Sequence, residues 1–133
     1  MRVDEKTKIE LIAKAKEARK NAYCPYSKFA VGAALLAKSG KIYCGSNFEN
    51  ASFGAGACAE RVALGAALSA GERKFSAIAV CAGERTVTPC GICRQALCEF
   101  GDIEVICTDA SGALVQSFML SHLLPEAFTQ FEE

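Results

Sequence analysis

The chain has 133 residues, and its 15 Lys and Arg balance 15 Asp and Glu to give a formal net charge of zero. This length predicts a single domain over residues 1–133, and a hydrophobic content of 51% excludes bulk disorder. The charge balance argues against a nucleic-acid-binding protein, because binding a phosphate backbone needs an excess of basic residues.

An amphipathic helix is predicted over residues 4–22. Its apolar stripe consists of Leu11, Ala15, Ala18 and Ala22. Basic residues outnumber acidic ones in residues 1–28, which is also typical of an arm that binds nucleic acid. The acids lie toward the start of the helix and the bases toward its end, as the helix dipole prefers, so we favour a solvated helix face.

The rest of the chain alternates between strand and helix patterns. Predicted strands cover residues 29–37, 41–46, 75–81, 103–108 and 113–118. Predicted helices cover residues 58–70 and 89–100, and a short helical tail follows the last strand. Strands separated by helices indicate a sheet covered on both faces. The expected fold is therefore α/β, a three-layer α/β/α sandwich with a mixed five-stranded sheet.

Eight cysteines could form disulfides or bind metal, and the compartment decides between the two. Residues 1–8 lack the apolar region of a secretory signal, and the apolar run over residues 30–37 is too short to span a membrane. We therefore expect a cytoplasmic protein without a membrane partner, in which thiols stay reduced and clustered cysteines bind metal.

Three cysteines occupy predicted helix N-termini, where the positive end of the helix favours thiolate. Cys58 begins one helix, while Cys90 and Cys93 lie on one face of the next helix, directly after Pro89. Three thiolates can hold zinc and leave a fourth position for water, as in a catalytic site. Glu60, close to Cys58 in sequence, is placed to take a proton from that water.

Arg61 lies three residues after Cys58 and so shares its helix face. Three thiolates and Zn²⁺ carry a net negative charge, which weakens the metal as a Lewis acid. Hydrogen bonds from Arg61 to the thiolates would offset that effect. The alternative is an exposed arginine without a role at the metal.

The spacing of Cys58, Glu60, Pro89, Cys90 and Cys93 is close to that of the zinc deaminases. Over nearly its whole length the chain resembles the short, homotetrameric class of cytidine deaminases. The motifs that carry the resemblance are residues 29–34, 47–54, 58–61, 89–95 and 123–128. It implies hydrolytic deamination of cytidine and 2′-deoxycytidine to uridine and 2′-deoxyuridine in pyrimidine salvage, with zinc-bound hydroxide attacking C4.

The resemblance also implies roles for individual residues. It makes Cys58, Cys90 and Cys93 the zinc ligands and Glu60 the proton shuttle. The implied substrate contacts are Phe29 on the base, Asn47 and Glu49 on the ribose, the backbone N–H of Ala59, and the Thr88 carbonyl on the leaving amino group. From composition alone Phe29 would be a core residue. Asn47 alone would be a turn residue, an interpretation that Glu49 two positions later disfavours.

Two further aromatics, Phe53 and Phe128, match residues that this family supplies across a subunit interface. The family usually has tyrosine at the position of Phe53, so we do not expect the polar contact that its hydroxyl would make near the sugar, while the chemistry is unaffected. An apolar tail around Phe128 also favours oligomerisation. The resemblance therefore implies a homotetramer whose active sites are completed by neighbouring subunits, with free nucleosides as substrates.

Roles for Arg94 and Gln95 stay open, and His122 is interpreted as structural.

Two other functions remain as alternatives. A related zinc deaminase could act on another cytosine compound, such as a nucleoside antibiotic, or on a polynucleotide. A structural zinc module that mediates protein contacts would leave Glu60 without a reason. The cysteines outside the metal set are interpreted as reduced core thiols, namely Cys24, Cys44, Cys81, Cys98 and Cys107.

Overall fold

The computed structural model of the protein describes residues 2–131, which form four α-helices, a short 3₁₀ helix (Phe53–Ala55) and five strands. The helices are α1 (Glu5–Arg19), α2 (Ala59–Ser69), α3 (Gly91–Cys98) and α4 (Leu120–Leu123). The strands are β1 (Gly32–Ala37), β2 (Ile42–Ser46), β3 (Phe75–Cys81), β4 (Glu104–Thr108) and β5 (Val115–Met119). None of the helices in this part of the chain has both the length and the apolar character that a bilayer span requires.

The five strands form one mixed sheet in the order β2-β1-β3-β4-β5. Strand β1 runs antiparallel to both β2 and β3, and β5 runs antiparallel to β4. Strands β3 and β4 are parallel, and α3 forms the crossover that such a pair requires. The predicted five-stranded sheet is confirmed.

Alternate residues of each central strand point to opposite faces of the sheet, and helices cover both faces. On one face, Leu11 and Ala15 of α1 pack against Ala34, Ala79 and Ile106. On the other face, α2 and α3 pack against a larger core, which includes Leu35, Ile78, Val80, Val105 and Leu97. The three-layer α/β/α arrangement expected from the sequence is therefore present.

Helix α1 ends earlier than the apolar stripe predicted. Leu11, Ala15 and Ala18 are buried, but Ala22 lies beyond the helix end at Arg19. The chain leaves the helix because the Tyr23 backbone N–H donates to the carbonyl of Asn47, 3.0 Å away. This early exit joins the end of α1 to the loop that contributes to the candidate site.

Helix α2 lies unusually close to the edge strand β2 at Gly45, which faces its first turns. A Cβ atom at Gly45 would lie 2.5 Å from both the Ala59 carbonyl oxygen and the Ala63 backbone nitrogen. Only glycine permits this approach, because the obstructing atoms are backbone atoms that no rotamer change can move. The position of the N-terminal end of α2 therefore depends on Gly45.

Replacing Gly45 with alanine should force α2 away from the sheet and lower the free energy of unfolding by about 1–3 kcal/mol. Gly65→Ala is the matched control, since a Cβ at exposed Gly65 meets open space. That control should instead stabilise α2 by about 0.5–1 kcal/mol, because alanine has the higher helix propensity. Urea unfolding of both variants checks this, and equal stability of G45A and wild type would contradict it.

The amino-terminal segment is attached to the sheet by Glu104, whose carboxylate is completely buried on β4. Its Oε2 lies 3.2 Å from Nη1 of Arg2 and 3.8 Å from Nζ of Lys8. Its Oε1 accepts a hydrogen bond from the Val3 backbone, 2.9 Å away. A buried carboxylate needs such partners to offset its lost hydration.

Removing this charge with Glu104→Gln should lower the free energy of unfolding by about 1–3 kcal/mol, since one acceptor survives and Arg2 is half-exposed. Glu17→Gln serves as the control, because it breaks the exposed pair between Glu17 and Lys20. The control should change stability by less than about 0.5 kcal/mol. A smaller loss for E104Q than for E17Q would refute the anchoring role of Glu104.

Candidate metal centre and active site

Three cysteine sulfurs meet where the N-termini of α2 and α3 converge. Cys58 is the N-cap of α2, Cys90 is the N-cap of α3, and Cys93 lies in the first turn of α3. Their sulfur atoms all lie within 4.8 Å of one another, and those of Cys58 and Cys90 are 3.8 Å apart. The arrangement could hold a metal ion with one coordination position left free.

The electrostatics of this cluster favour thiolate at Cys58. A hydrogen bond from Cys93 lowers the pKa of Cys58 to about 5, and Arg61 contributes in the same direction. That hydrogen bond, together with burial, raises the pKa of Cys93. The two pKa shifts have opposite signs because both thiols share one hydrogen bond, which favours the thiolate at Cys58.

Arg61 lies on the same side of α2 as Cys58, as the helical spacing predicts. Its Nη2 approaches the Cys58 sulfur at 3.8 Å, a long hydrogen bond of the kind that sulfur accepts. The guanidinium also interacts with Cys93. The exposed-arginine alternative is therefore wrong, because Arg61 is only partly exposed and faces the thiols.

Glu60 occupies the first turn of α2 with only 4% of its surface exposed. Burial raises its pKa to about 7, and the negative charge of Cys58 acts in the same direction. A carboxyl group with such a pKa can both accept and donate a proton near neutral pH. No salt bridge compensates Glu60 among residues 2–131, so its burial is not explained by ion pairing.

An inner cavity of about 200 Å³ opens beside the thiols and Glu60. Most of its wall is apolar, with a few polar groups converging on it, as in small-molecule sites generally. Its lining includes Phe29, Val31, Asn47, Ala59, Val87 and Thr88. The cavity thus brings together one aromatic side chain, two candidate hydrogen-bonding residues and the thiol cluster.

A wider cavity of about 560 Å³ adjoins the inner one, because Asn47 and Cys58 line both. Glu49 and the ring of Phe53 line this outer space. Glu49 Oε1 accepts hydrogen bonds from the backbone nitrogens of Tyr26 and Ser27, each 3.1 Å away. Hydrogen bonding to Ser27 and Tyr26 lowers the pKa of Glu49, so it is an ionised carboxylate at the mouth of the site.

Asn47 has a positioning function that its sequence context did not reveal. Its Oδ1 accepts from the Val31 nitrogen at 2.8 Å, and its Nδ2 donates to the Phe29 carbonyl at 2.9 Å. These bonds hold the segment before β1, where Lys28 adopts a left-handed backbone conformation with φ of 61°. Asn47 therefore fixes the backbone that presents the Phe29 ring.

Phe128 and His122 line neither of these two cavities within residues 2–131. Phe128 is attached to α3 through its backbone carbonyl, which accepts a hydrogen bond from Gln95 Nε2 at 2.7 Å. His122 is exposed on α4 and is not part of the thiol cluster. Phe53 lines the outer cavity with 86% of its surface exposed.

The remaining cysteines only partly fit the expectation of core thiols. All eight cysteines are free, and Cys81 and Cys107 are buried as expected. The expectation is wrong for Cys44, which is exposed because it lies on the edge strand β2 with one neighbouring strand. Cys24 and Cys98 are partly exposed.

Sequence reasoning left Arg94 without a role, yet its guanidinium makes three hydrogen bonds beside the site. The acceptors are the Pro89 carbonyl, the Leu123 carbonyl and the Thr88 hydroxyl oxygen. The only signal in the sequence was its position directly after Cys93.

Residues 5–109 match the family described as the cytidine and deoxycytidylate deaminase zinc-binding region. The cytidine deaminase of Sporosarcina psychrophila is 48% identical over 124 residues, which cover 91% of this chain and 90% of that protein. The cytidine deaminase of Halalkalibacterium halodurans is 50% identical over 122 residues, covering 90% and 92%.

The fold is also similar to that of a solved cytidine deaminase structure. The crystal structure of cytidine deaminase from Burkholderia pseudomallei superposes with a TM-score of 0.85 and 47% identity, covering 90% of this chain and 98% of that one. The chain belongs to the cytidine and deoxycytidylate deaminase family.

Proposed function

We propose that the protein is a zinc-dependent cytidine deaminase that hydrolyses cytidine and 2′-deoxycytidine to uridine and 2′-deoxyuridine, a reaction of pyrimidine salvage. The observation that carries this proposal is the buried, unpaired Glu60 beside three converging thiols in one small cavity. A proton-transfer group and a metal site on the same wall are what a hydrolytic deaminase requires.

The donor set at the cluster fits zinc. Two sulfurs that bind one zinc ion at about 2.3 Å with tetrahedral geometry lie about 3.8 Å apart. The sulfur atoms of Cys58 and Cys90 match this separation at 3.8 Å. Zinc held by Cys58, Cys90 and Cys93 would supply a Lewis acid that makes water nucleophilic near neutral pH.

Arg61 would hold the thiolates in place and withdraw charge from them. Its guanidinium donates to Cys58, which reduces the negative charge that three thiolates present to a divalent ion. Loss of a hydrogen bond of this kind typically costs a metal site about 10–100-fold in affinity or activity.

Glu60 would move protons during the reaction. Its carboxylate accepts a proton as the water oxygen bonds to C4 of the pyrimidine, and it delivers that proton to ring N3. Glu60 then carries the second water proton to the exocyclic amino group, so that the C4–N bond breaks and ammonia leaves. The raised pKa of Glu60 suits both directions of transfer, since the two protonation states are close in free energy.

The cavity walls would orient the nucleoside. The Phe29 ring packs on the base, and the Ala59 N–H, one of the free donors at the start of α2, faces the same cavity. The Thr88 carbonyl accepts from the amino group that leaves. Asn47 and Glu49 bind the ribose hydroxyls where the inner and outer cavities join, with the second oxygen of Glu49 as acceptor.

Assembly would complete the site. We propose that the single domain over residues 1–133 forms a homotetramer in the cytoplasm, with Phe53 and Phe128 contributed to neighbouring subunits' sites. Exposed fractions of 86% for Phe53 and 64% for Phe128 support this proposal, because such aromatic surface is unfavourable in water.

The other candidate functions account for less of the molecule. A structural zinc module gives no reason for a buried carboxylate beside the metal, nor for a cavity next to it. A polynucleotide deaminase needs a basic surface, and the net charge of this chain is zero. Relatives at 48% and 50% identity that are cytidine deaminases favour cytidine over an antibiotic substrate.

Replacing Glu60 with glutamine should abolish proton transfer while keeping the side chain's size. We expect zinc-loaded E60Q to lose activity on cytidine by about 10²–10⁴-fold, because that is the usual contribution of a general acid–base group. The assay is the ultraviolet change as cytidine becomes uridine, run beside 2′-deoxycytidine, cytosine and a cytosine-containing oligonucleotide.

Glu99→Gln is the control for E60Q, since Glu99 is exposed at the end of α3. It should leave the rate unchanged. Full activity of E60Q with one zinc bound would overturn the proton-transfer role. Wild-type turnover of the oligonucleotide at a rate matching cytidine would overturn the nucleoside specificity.

Removing the buried ligand with Cys93→Ala should reduce zinc content well below one ion per chain, because two thiolates bind zinc far more weakly than three. Cys44→Ala is the matched control, since it removes an exposed thiol on β2. Metal analysis after dialysis against a weak chelator measures both variants. Equal zinc content in C93A and C44A would contradict the assignment of the site.

A further inference from the structure

Arg94 makes three charge-assisted hydrogen bonds, which join two separate parts of the chain. Its Nε donates to the Pro89 carbonyl at 2.7 Å, and its Nη2 donates to Thr88 Oγ1 at 2.8 Å. Its Nη1 donates to the Leu123 carbonyl at 2.6 Å. A guanidinium is suited to this task, because its donors point in fixed directions within one plane.

Two of these acceptors belong to the connection between β3 and α3, residues 82–90, which has no regular secondary structure. Its first part is attached to the sheet, since Ala82 N–H donates to Thr108 and the Gly83 carbonyl accepts from Ala110. Its last part carries Thr88 on the cavity wall and Cys90 in the thiol cluster. At Thr88 and Pro89, the side-chain support comes from Arg94.

The bonds of Arg94 leave the Thr88 backbone carbonyl unused. Among residues 2–131, no hydrogen bond to that oxygen is found, although the side chain of Thr88 and the carbonyl of Pro89 are both held. Fixing the atoms on either side of a carbonyl sets the orientation of its dipole. A preoriented acceptor on the cavity wall binds a donor without the cost of reorganisation.

The third acceptor joins this wall to the carboxy-terminal segment. Leu123 is the last residue of α4, so its carbonyl is one of the helix's free acceptors. The next residue along α3, Gln95, donates to the Phe128 carbonyl at 2.7 Å. Two consecutive side chains of α3, Arg94 and Gln95, therefore attach the segment over residues 123–128 to the helix that carries Cys93.

We infer that Arg94 is a positioning residue that fixes the Thr88 carbonyl against the substrate's amino group, using the end of α4 as its outer support. This inference rests on the proposed function for the identity of the donor. In this role Arg94 contacts neither the substrate nor the metal. It differs in this from Arg61, which faces the thiols.

The test compares zinc-loaded Arg94→Gln and Arg94→Lys with wild type, with Arg85→Gln as the matched control. Arg85 is an exposed arginine on the same connection, for which no hydrogen bond is found in residues 2–131. Amide hydrogen exchange in residues 82–90 measures the anchoring directly. Cytidine kcat/KM, the inhibition constant of uridine and zinc content measure its consequence.

We expect R94Q to exchange faster in residues 82–90, with zinc retained and exchange in α1 unchanged. Its kcat/KM for cytidine should fall by about 10–100-fold, because a misplacement of about 1 Å at a positioning contact can cost about 10²-fold in rate. The uridine inhibition constant should stay the same, because the 4-oxo group of uridine cannot donate to the Thr88 carbonyl. R94K should show the same changes in exchange and activity as R94Q, since one ammonium group cannot donate to all three acceptors in the directions that the guanidinium does.

Unchanged exchange in residues 82–90, or full activity of R94K, would overturn the inference. Faster exchange throughout R94Q, or equal losses for cytidine and uridine, would overturn it as well by showing a general structural role. If wild type fails to deaminate cytidine, the proposed function is wrong. The exchange comparison of R94Q with R85Q still decides in that case whether Arg94 fixes the connection.

Discussion

The convergence of two helix N-termini is the constraint on which the rest of the site depends. Cys58 caps α2 and Cys90 caps α3, so the positive ends of both helices point at one cluster of sulfur atoms. Their meeting requires α2 to lie close against the sheet, which Gly45 permits. It also requires α3 to follow the connection from β3 at a fixed distance, which Arg94 supports. Packing and chemistry are therefore set by the same contacts.

Most of the architecture was predictable because it follows from local pattern. The strand over residues 75–81 was predicted at its observed bounds, since a buried strand in the middle of a sheet is a continuous apolar run. Edges were less predictable. The end of α1 is decided by a hydrogen bond to Asn47 rather than by helix propensity, and the exposure of Cys44 follows from the order of strands.

In the candidate site, too, some features could be predicted from the sequence and others could not. Cys58, Cys90, Cys93 and Glu60 have sequence spacings that carry their chemistry, so they could be identified before the fold was known. The positioning bonds could not be identified in that way, because their acceptors are backbone carbonyls and every residue has one. Asn47 holds the Phe29 segment and Arg94 holds the Thr88 segment through such carbonyls. Only the folded chain shows which carbonyls lie within reach.

The two buried carboxylates of the described chain show how function can be separated from structural support. Glu104 is surrounded by Arg2, Lys8 and a backbone N–H, so its charge is compensated by the amino-terminal segment. Glu60 is buried to nearly the same degree without an ion pair, and its pKa rises to about 7. An uncompensated buried acid lowers stability, so its retention points to a task that a paired carboxylate cannot perform. Reversible proton transfer, the role proposed for Glu60, is such a task, since an acid held ionised by cations would not take up the proton it must deliver.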